Sequence, residues 1–334
     1  MDWNASRFRP EDAAGFYESY FQRANHPSRP LAFWIRYTVF SPRQRPDLAR
    51  GELWAIYFDG ERGEIVAVQE ALPIAECHFS PLRLDVRIRD AVLRDGELHG
   101  RAASPSHTFE WALRYESAEP PLLLLPAELY SKRFPKAKVL VGAPDARYTG
   151  SLVIDGVSVP VQEWRGSQNH NWGTQHTDRY AWGQVAGFDN APESFLECAT
   201  AQIRIGPVWS PRLTFLVLRD QGREIALNGL FRALRTAAEV RSFAWTIEAR
   251  TRDVRVSGRI EAPMSAFVGL RYQNPPGGEK ICLNTKLASA QFSIVRKGEP
   301  ARTLVTRHRA AFEILSDDDA RPHASGDRNP RSMM

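Results

Sequence analysis

Short apolar segments recur along the chain, separated by residues that form turns. They follow one another at intervals of roughly 8–12 residues, with Pro, Gly, Asp and Ser between them. The first half contains LAFWIRYTVF, ELWAIYFD, EIVAVQEAL, LRLDVRIR and HTFEWALRYE; the second contains YAWGQVAGF, SFLECATAQIRI, RLTFLVL, SFAWTIEAR, VRVSGRIEA, AFVGLRYQ, KICLNTKLASAQFSIV and RTLVTRHRAAFEIL. This spacing is typical of antiparallel sandwiches and barrels, and alternating strand–helix units are absent. The sequence therefore predicts an all-β chain.

A cluster of prolines, glycines and lysines at residues 135–150 marks the best domain boundary. Strand-rich segments of similar size flank it, so we predict one domain at residues 1–140 and a second at 141–316. The polar segment at 317–334 has almost nothing to bury and is predicted to be disordered.

Two helices are expected besides the strands. Glu11 and Asp12 favour the N-terminus of a short amphipathic helix whose apolar stripe would cap the core. That stripe consists of Phe16, Tyr17, Tyr20 and Phe21. A shorter helix is expected around residues 127–134.

Composition excludes several classes of protein. The formal net charge is only +5, and no basic block is interleaved with aromatics, so we expect no nucleic-acid partner. Three cysteines lie far apart without CxxC spacing, which argues against a zinc ribbon or a disulfide framework. The N-terminus lacks the continuous apolar stretch of a secretory signal, and the longest aliphatic run, residues 122–125, cannot span a bilayer. We therefore expect a cytoplasmic protein, with the basic segment at residues 131–138 either a solvated linker or a peripheral contact with an anionic membrane. The sequence does not predict the oligomeric state.

Strand alternation assigns one carboxyl to a buried face. In SFLECATAQIRI the candidate buried face consists of Phe195, Glu197, Ala199, Ala201, Ile203 and Ile205. Glu197 is its one charged member, and burial would raise the pKa of such a carboxyl toward the range of a general acid. A Glu paired with an arginine, or placed near a barrel rim, remains the alternative.

The preceding strand, YAWGQVAGF, is predicted to carry its aromatic residues on one face. One of its faces consists of Tyr180, Trp182, Gln184, Ala186 and Phe188. Aromatic rings with one buried amide are typical of the wall of a ligand cavity. In the opposite assignment the rings cover a helix or the second domain instead.

The segment between Ser167 and Val185 concentrates polar side chains. Gln168, Asn169, His170 and Asn171 are poor formers of regular structure in succession, and amides at turns often bind local backbone groups. His170 is a candidate proton shuttle or hydrogen-bonding group. Its spacing from His176 fits no standard zinc motif, so no metal is expected.

Asp178 precedes the aromatic strand, where it would orient His176, act as an acid, or lie solvated in a turn. The chain contains no phosphate-binding glycine loop, nucleophile elbow or dinucleotide fingerprint, and we expect no redox cofactor.

The run GSQNHNWGTQHTDRYAWGQVAGFD resembles the central signature of the carotenoid 1,2-hydratase (hydroxyneurosporene synthase) superfamily. Its Asn-His-Asn-Trp-Gly element at residues 169–173 is similar to the His-Asn-Trp-Gly element there, and Tyr-Ala-Trp-Gly-Gln at residues 180–184 resembles the Trp-x-Gln element of tocopherol cyclases. The resemblance is specific over residues 164–189 and loose elsewhere. It implies two lipocalin-like (calycin) β-barrels in tandem, and relatives that include isoprenoid hydratases and prenylquinone or pericyclic cyclases.

Together these observations lead to a hypothesis of a cofactor-independent hydratase- or cyclase-like enzyme that acts on an isoprenoid or polyketide-type lipophile. Glu197 or Asp178 would supply a proton, and His170 would relay it or position water. The expected substrate-binding residues are Trp164, Gln168, Asn169, Asn171, Trp172, His176, Tyr180, Trp182 and Gln184. Their indole and phenol rings would stabilise a carbocation, at about 0.5–2 kcal/mol each.

Two alternatives stay open at the level of sequence. Asn169, His170 and Gln184 could instead polarise a substrate carbonyl. A non-catalytic carrier of hydrophobic small molecules would need the aromatic residues but no acid.

Overall fold

The computed structural model describes residues 2–316 and is almost entirely β-sheet, which confirms the predicted fold class of lipocalin-like barrels. The tail predicted at 317–334 lies outside the described residues. Within them the chain divides into two compact units. Unit 1 contains residues 2–123, 131–176 and 274–278, and unit 2 contains residues 124–130, 177–273 and 279–316.

The main division between the units follows His176 and therefore differs from the boundary expected at residue 140. The proline- and glycine-rich segment that suggested a linker forms one long strand. The register of that strand shifts between Val141 and Ala143 and again between Ala143 and Ala146. Such bulges let a strand accommodate the intervening Gly142 and Pro144 without ending.

Unit 1 contains one antiparallel sheet of twelve strands. They are β1 (Phe16–Asn25), β2 (Leu31–Ser41), β3 (Arg50–Asp59), β4 (Glu64–Pro73), β5 (Cys77–Phe79), β6 (Asp85–Ile88), β7 (Ala91–Arg94), β8 (Glu97–Ala103), β9 (Thr108–Glu116), β10 (Leu122–Leu123), β11 (Ala137–Ile154) and β12 (Val157–Gly173). The order is β4-β3-β2-β1-β12-β11-β9-β8-β7-β6-β5, with β10 beside β11. Short 3-10 helices lie at Pro46–Leu48 and Ile74–Glu76. The sheet surrounds a core rich in aromatic residues, including Phe33, Tyr37, Trp111 and Tyr148.

Unit 2 is built in the same way from the second half of the chain. Its strands are β13 (Arg179–Phe188), β14 (Ala191–Gln202), β15 (Arg204–Ile205), β16 (Val208–Trp209), β17 (Leu213–Asp220), β18 (Arg223–Ala226), β19 (Ala237–Arg241), β20 (Ala244–Arg250), β21 (Val254–Glu261), β22 (Val268–Gln273), β23 (Glu279–Arg296) and β24 (Arg302–Ser316). The main sheet runs β18-β17-β14-β13-β24-β23-β21-β20-β19, with β22 beside β23, and β15 and β16 form a separate hairpin. Helix α1 spans Leu230–Arg235, and 3-10 helices lie at Ala127–Leu129 and Met264–Ala266.

The expected N-terminal helix is wrong, because its apolar stripe lies in β1. This strand pairs with β2 on one side and β12 on the other, so it is central in the sheet. Tyr17, Tyr20 and Phe21 are all buried, since both faces of β1 are covered. A strand buried on both faces loses the alternation that distinguishes it from a helix. The helix expected at 127–134 is reduced to the 3-10 helix at Ala127–Leu129.

Among residues 2–316, no helix combines the length and apolar character that crossing a bilayer requires.

Candidate functional site

The polar run QNHN lies in a strand rather than in the expected turn. It belongs to the C-terminal part of β12, between β1 and β11. Because side chains alternate along a strand, Gln168, His170 and Trp172 share one face. His170 lies opposite Tyr20, and Trp172 lies opposite Glu18. The sequence signature is therefore part of the wall of the unit 1 barrel.

The other face of β12 carries Asn169 and Asn171. Asn169 is fully buried, and its Nδ2 donates a hydrogen bond of 2.8 Å to Ser167 Oγ. The same Nδ2 lies 3.4 Å from the carbonyl oxygen of Phe21 on the neighbouring strand. These contacts help to fix the pairing of β12 with β1. Asn171 is half-buried.

Glu18 and His170 form a fully buried pair in unit 1. His170 Nε2 lies 2.8 Å from Glu18 Oε1. The Glu18 carboxylate also accepts hydrogen bonds from Ser6 Oγ, at 2.6 Å, and from the backbone N–H groups of Arg7 and Phe8, at 2.9 and 3.1 Å. Burial acts to raise the pKa of Glu18, but the bonds from His170, Ser6 and Arg7 outweigh it and lower that pKa below its ordinary value.

The hydrogen bonds of His170 require that one proton lies between its Nε2 and the Glu18 carboxyl group. His170 Nδ1 lies 3.0 Å from the carbonyl oxygen of Trp3, which can only accept. With a carboxyl oxygen at Nε2, either an imidazolium faces a carboxylate or a neutral imidazole accepts from a protonated Glu18. Burial lowers the pKa of His170, whereas Glu18 and the Trp3 carbonyl act in the opposite direction. The pair has no net charge in either form, and it binds the N-terminal residues 3–8 to the barrel.

Rings pack closely around His170. The ring of Tyr20 stacks on it with centroids 4.2 Å apart, and the Trp172 indole lies 4.6 Å away. The Arg7 guanidinium covers the Trp172 indole at 4.1 Å. Trp164 lies in the hydrophobic core of unit 1. In the structure both of these tryptophans therefore contact protein side chains.

Unit 2 contains a second buried carboxyl, that of Glu197. Trp182 Nε1 donates to Glu197 Oε1 and Gln184 Nε2 donates to Glu197 Oε2, each over 2.7 Å. Gln184 lies directly opposite Glu197 in the pairing of β13 with β14, and both side chains are fully buried. Alternation along the two strands thus brings together three residues that the sequence singled out. We call them the Glu197 cluster.

The Glu197 cluster lies on the opposite face of the sheet from the barrel core. That core takes its side chains from the alternate positions, among them Ala181 and Val185 of β13 and Leu196 and Cys198 of β14. Glu197 is fully buried, as its place on the candidate buried face predicted, but that face is not the one that forms this core. Alternation specifies which residues share a face but not which face encloses the core, and here both faces are buried.

Polar side chains missed by the sequence reasoning continue this face onto β23 and β24. Lys286 Nζ donates to Asn284 Oδ1 over 2.7 Å and to Glu313 Oε1 over 2.8 Å, and Asn284 Nδ2 donates to the same carboxylate oxygen. Lys286 is fully buried, and its Nζ lies 5.3 Å from the centroid of the Trp182 ring. The alternate positions of Asn284 and Lys286 in KICLNTK are a signal that could have revealed them.

Tyr180 joins the same face through its hydroxyl group. The hydroxyl oxygen lies 3.4 Å from Glu313 Oε2 and 3.4 Å from Cys282 Sγ. Burial raises the pKa of the Tyr180 phenol well above its ordinary value, so the phenol stays protonated and can donate a hydrogen bond.

The structure gives Asp178 and His176 separate partners. Asp178 Oδ2 accepts from the backbone N–H of Arg204 over 2.8 Å, and Oδ1 lies 3.6 Å from Lys280 Nζ in unit 2. His176 stacks on Tyr17 in unit 1, with ring centroids 4.0 Å apart.

The expected relay from Glu197 or Asp178 through His170 stays a prediction. Trp3 and Glu18 engage both ring nitrogens of His170, so His170 already has partners other than those two carboxyl groups. Glu18 was missed because sequence reasoning placed it inside a helix. Residues 2–316 contain no cluster of three or more His, Cys, Asp or Glu side chains arranged to hold a metal ion.

The fold and these buried clusters define the class of the chain as a lipocalin-like barrel protein with polar groups on buried sheet faces. No protein-family model matches the sequence. A protein of Mycobacterium tuberculosis, described as uncharacterized in strains CDC 1551 and H37Rv, is 27% identical over 293 residues, which cover 84% of this chain and 82% of that protein.

Solved structures with the same fold are more distant in sequence. An AttH protein from Nitrosomonas europaea aligns with a TM-score of 0.55 and 15% identity, covering 95% of this chain and 98% of that one. Kievitone hydratase from Nectria haematococca aligns with a TM-score of 0.57 and 12% identity, covering 91% and 89%. CghA with Sch210972 aligns with a TM-score of 0.51 and 11% identity, covering 91% and 88%. At these identities the likeness is one of fold.

Proposed function

We propose that the chain is a cofactor-independent enzyme of hydratase or cyclase type that acts on a lipophilic small molecule, and that the Glu197 cluster is its acid. The observation that carries the proposal is the fully buried Glu197 carboxyl held by Trp182 and Gln184. The fold likeness to a kievitone hydratase and to CghA supports this class of activity. The finer assignment, to a carotenoid 1,2-hydratase or a tocopherol cyclase, rests on the Trp-Gly and Trp-x-Gln elements alone.

The proposed step is a proton transfer from Glu197 to an alkene carbon of the substrate. The O–H bond of the acid breaks, a C–H bond forms, and the adjacent carbon becomes a cation. The N–H groups of Trp182 and Gln184 then stabilise the carboxylate that remains. Water adds to the cation in a hydratase, and an internal alkene or hydroxyl group attacks it in a cyclase. In each case the resulting cation loses a proton to the Glu197 carboxylate, which restores the acid.

The surroundings of Glu197 suit a short-lived cation. The Trp182 indole presents a π-face on which a cation gains about 0.5–2 kcal/mol. Lys286 Nζ lies 5.3 Å from the centroid of that ring, and this placement of a positive charge near its π-face supports the proposal. Glu313 neutralises Lys286 at 2.8 Å, so the lysine adds little net positive charge to oppose a carbocation.

His170 has a different role in this proposal. Because Glu18 and Trp3 engage both of its nitrogens, we assign His170 to holding the N-terminal segment rather than to proton relay. Asp178, bonded to the backbone of Arg204, is likewise assigned a positioning role.

The test begins with the full chain purified from its host. Bound lipophiles are extracted and identified by mass spectrometry, then returned to the protein and followed over time. A hydrated or cyclised product supports the enzyme, whereas a ligand recovered unchanged after long incubation identifies a carrier instead.

Glu197→Gln keeps the shape of the side chain and removes its acidic proton. We expect it to retain the lipophile and to lose turnover by about a hundredfold to ten-thousandfold, which is the usual contribution of a general acid. Glu193→Gln, which changes an exposed glutamate on the same strand, is the control and should keep full turnover. Full turnover in Glu197→Gln would exclude Glu197 as the acid.

A further inference from the structure

One part of unit 2 exposes large apolar side chains together with arginines. Phe231 in α1 is 81% exposed and Leu234 is 49% exposed. In the hairpin formed by β15 and β16, Ile205 is 63% and Val208 is 65% exposed. We define the apolar–basic surface as Ile205, Val208, Leu230, Phe231 and Leu234 with Arg204, Arg212, Arg232 and Arg235.

A hydrogen bond within unit 2 joins the segments that carry the two parts of this surface. Arg212 Nη1, just after the hairpin, donates to the carbonyl oxygen of Ala238 over 3.3 Å, and Ala238 lies two residues after the C-cap of α1. The hairpin itself is fixed at its base, where the Arg179 guanidinium covers the Trp209 ring at 3.9 Å. Ala233 is the buried residue of α1, so the helix rests on the sheet by its small residue and turns its large ones outward.

The charge of the apolar–basic surface is of one sign. Residues 203–218 and 225–238 contain no Asp or Glu. Residues 2–316 provide no carboxylate within ion-pair distance of Arg204, Arg212, Arg232 or Arg235. Other exposed arginines have one, among them Arg29, Arg89, Arg223 and Arg259. A second copy of the chain docked on this surface would bring its four arginines against these four. The repulsion of like charges disfavours such a dimer.

We infer that the apolar–basic surface docks on the headgroup region of an anionic lipid bilayer. Apolar side chains on a polar base enter the boundary between headgroups and acyl chains, and arginines beside them bind phosphate and carboxylate groups. The inference is independent of the proposed function, since it uses none of the buried residues. It also differs from the membrane contact considered for residues 131–138, which lies on another part of the chain.

The test is sedimentation of the full chain with vesicles. One set is phosphatidylcholine alone, and the other contains about one-third phosphatidylserine. We expect binding to the second set only, weakened by added salt. Phe231→Ser with Leu234→Ser should reduce the partition coefficient by about tenfold or more. Arg232→Ser with Arg235→Ser should reduce it by roughly tenfold to thirtyfold.

Matched controls come from unit 1. Leu82 is 80% exposed, so Leu82→Ser removes an apolar side chain of the same exposure as Phe231. Arg87→Ser with Arg114→Ser also removes two positive charges, but from exposed strand positions of unit 1. Both controls should bind vesicles as the parent chain does, and circular dichroism verifies that all variants are folded.

Three results would overturn the inference. The first is equal loss of binding in the controls and the test variants, and the second is binding that does not depend on phosphatidylserine. The third is a dimer in sedimentation velocity that Phe231→Ser abolishes, since the surface would then be covered by a second copy of the chain.

Discussion

Replacing Glu18 with Gln provides the sharpest test of the buried pair in unit 1. The carboxylate of Glu18 accepts hydrogen bonds from Ser6 Oγ, from the backbone N–H groups of Arg7 and Phe8, and from His170. Hydrogen bonds to a charged group contribute about 1.5–3 kcal/mol each, and bonds between neutral groups about 0.5–1.5 kcal/mol. A Gln at this position keeps the acceptor oxygen and can donate to a neutral His170. The free energy of unfolding should therefore fall by the difference in strength between charged and neutral hydrogen bonds. Summed over the bonds to Glu18 with partial additivity, this loss is about 2–4 kcal/mol.

The pH dependence of this loss follows from the lowered pKa of Glu18. A carboxyl whose pKa is depressed in the folded state stabilises the fold above its unfolded pKa, about 4.3 for Glu. The stabilisation is lost as the pH falls through the folded value. The parent chain should therefore exceed Glu18→Gln in unfolding free energy near neutral pH, and the difference should shrink in acid.

Urea unfolding at a series of pH values measures the free energies, and hydrogen exchange locates the effect. The amides of Arg7 and Phe8 should lose protection in Glu18→Gln, because they donate to Glu18 in the parent chain. A difference that stays constant from neutral pH to well below the pKa of free Glu would refute the reasoning. So would unchanged protection at these two amides.

Three further predictions concern unit 2. Lys286→Met leaves Glu313 buried without its cation and should cost about 3–5 kcal/mol of unfolding free energy, and adding Glu313→Gln should recover much of that loss. Gly183→Ala should cost about 1–3 kcal/mol in chemical denaturation, because its Cβ would lie 2.4 Å from a methyl group of Ile260. Gly269→Ala is its control, since the nearest side-chain atom would lie at 4.0 Å, and an equal cost at both glycines would contradict the packing argument. Trp182→Phe should keep an aromatic ring at this position but remove the indole N–H that donates to Glu197, so product formation should fall while vesicle binding is unchanged.

The sequence was informative where one physical rule acts alone. Alternation along β13 correctly placed Trp182 and Gln184 on one face, because strand geometry fixes a period of two whatever surrounds the strand. The register of β13 with β14 then adds Glu197 to that face. Alternation could not tell which side the barrel core occupies, since polar and apolar residues are buried on both sides. Lys286 escaped notice because its partner Glu313 lies 27 residues away, and only the register of β23 with β24 brings them together.

The error at β1 has the same origin. A run with buried residues on both faces has no polar period, so the spacing of Phe16, Tyr17, Tyr20 and Phe21 fits a helix as well as a strand. Placing Glu18 in a helix separated it from His170, which lies 152 residues later in the chain. His170 was therefore interpreted from the polar run around it, without the carboxylate that the structure places at its Nε2.

Glu18 and Glu197, both fully buried, differ in what their hydrogen bonds hold together. The donors to Glu18 come from the segment before β1 and from β12. The backbone ladder joins β1 to β12 but does not include the segment before β1, so the bonds to Glu18 attach that segment. Trp182 and Gln184, which donate to Glu197, lie on a strand already paired with its own by the β13–β14 ladder. Bonds that duplicate a backbone ladder contribute little to holding the fold, but they do fix the direction of a carboxyl group. We therefore expect Glu197→Gln to lower the unfolding free energy by less than Glu18→Gln does, with the opposite ranking for turnover. Measuring both variants in the same urea and product assays separates an anchoring carboxylate from a reacting one, and a matching rank order in the two assays would contradict this division of roles.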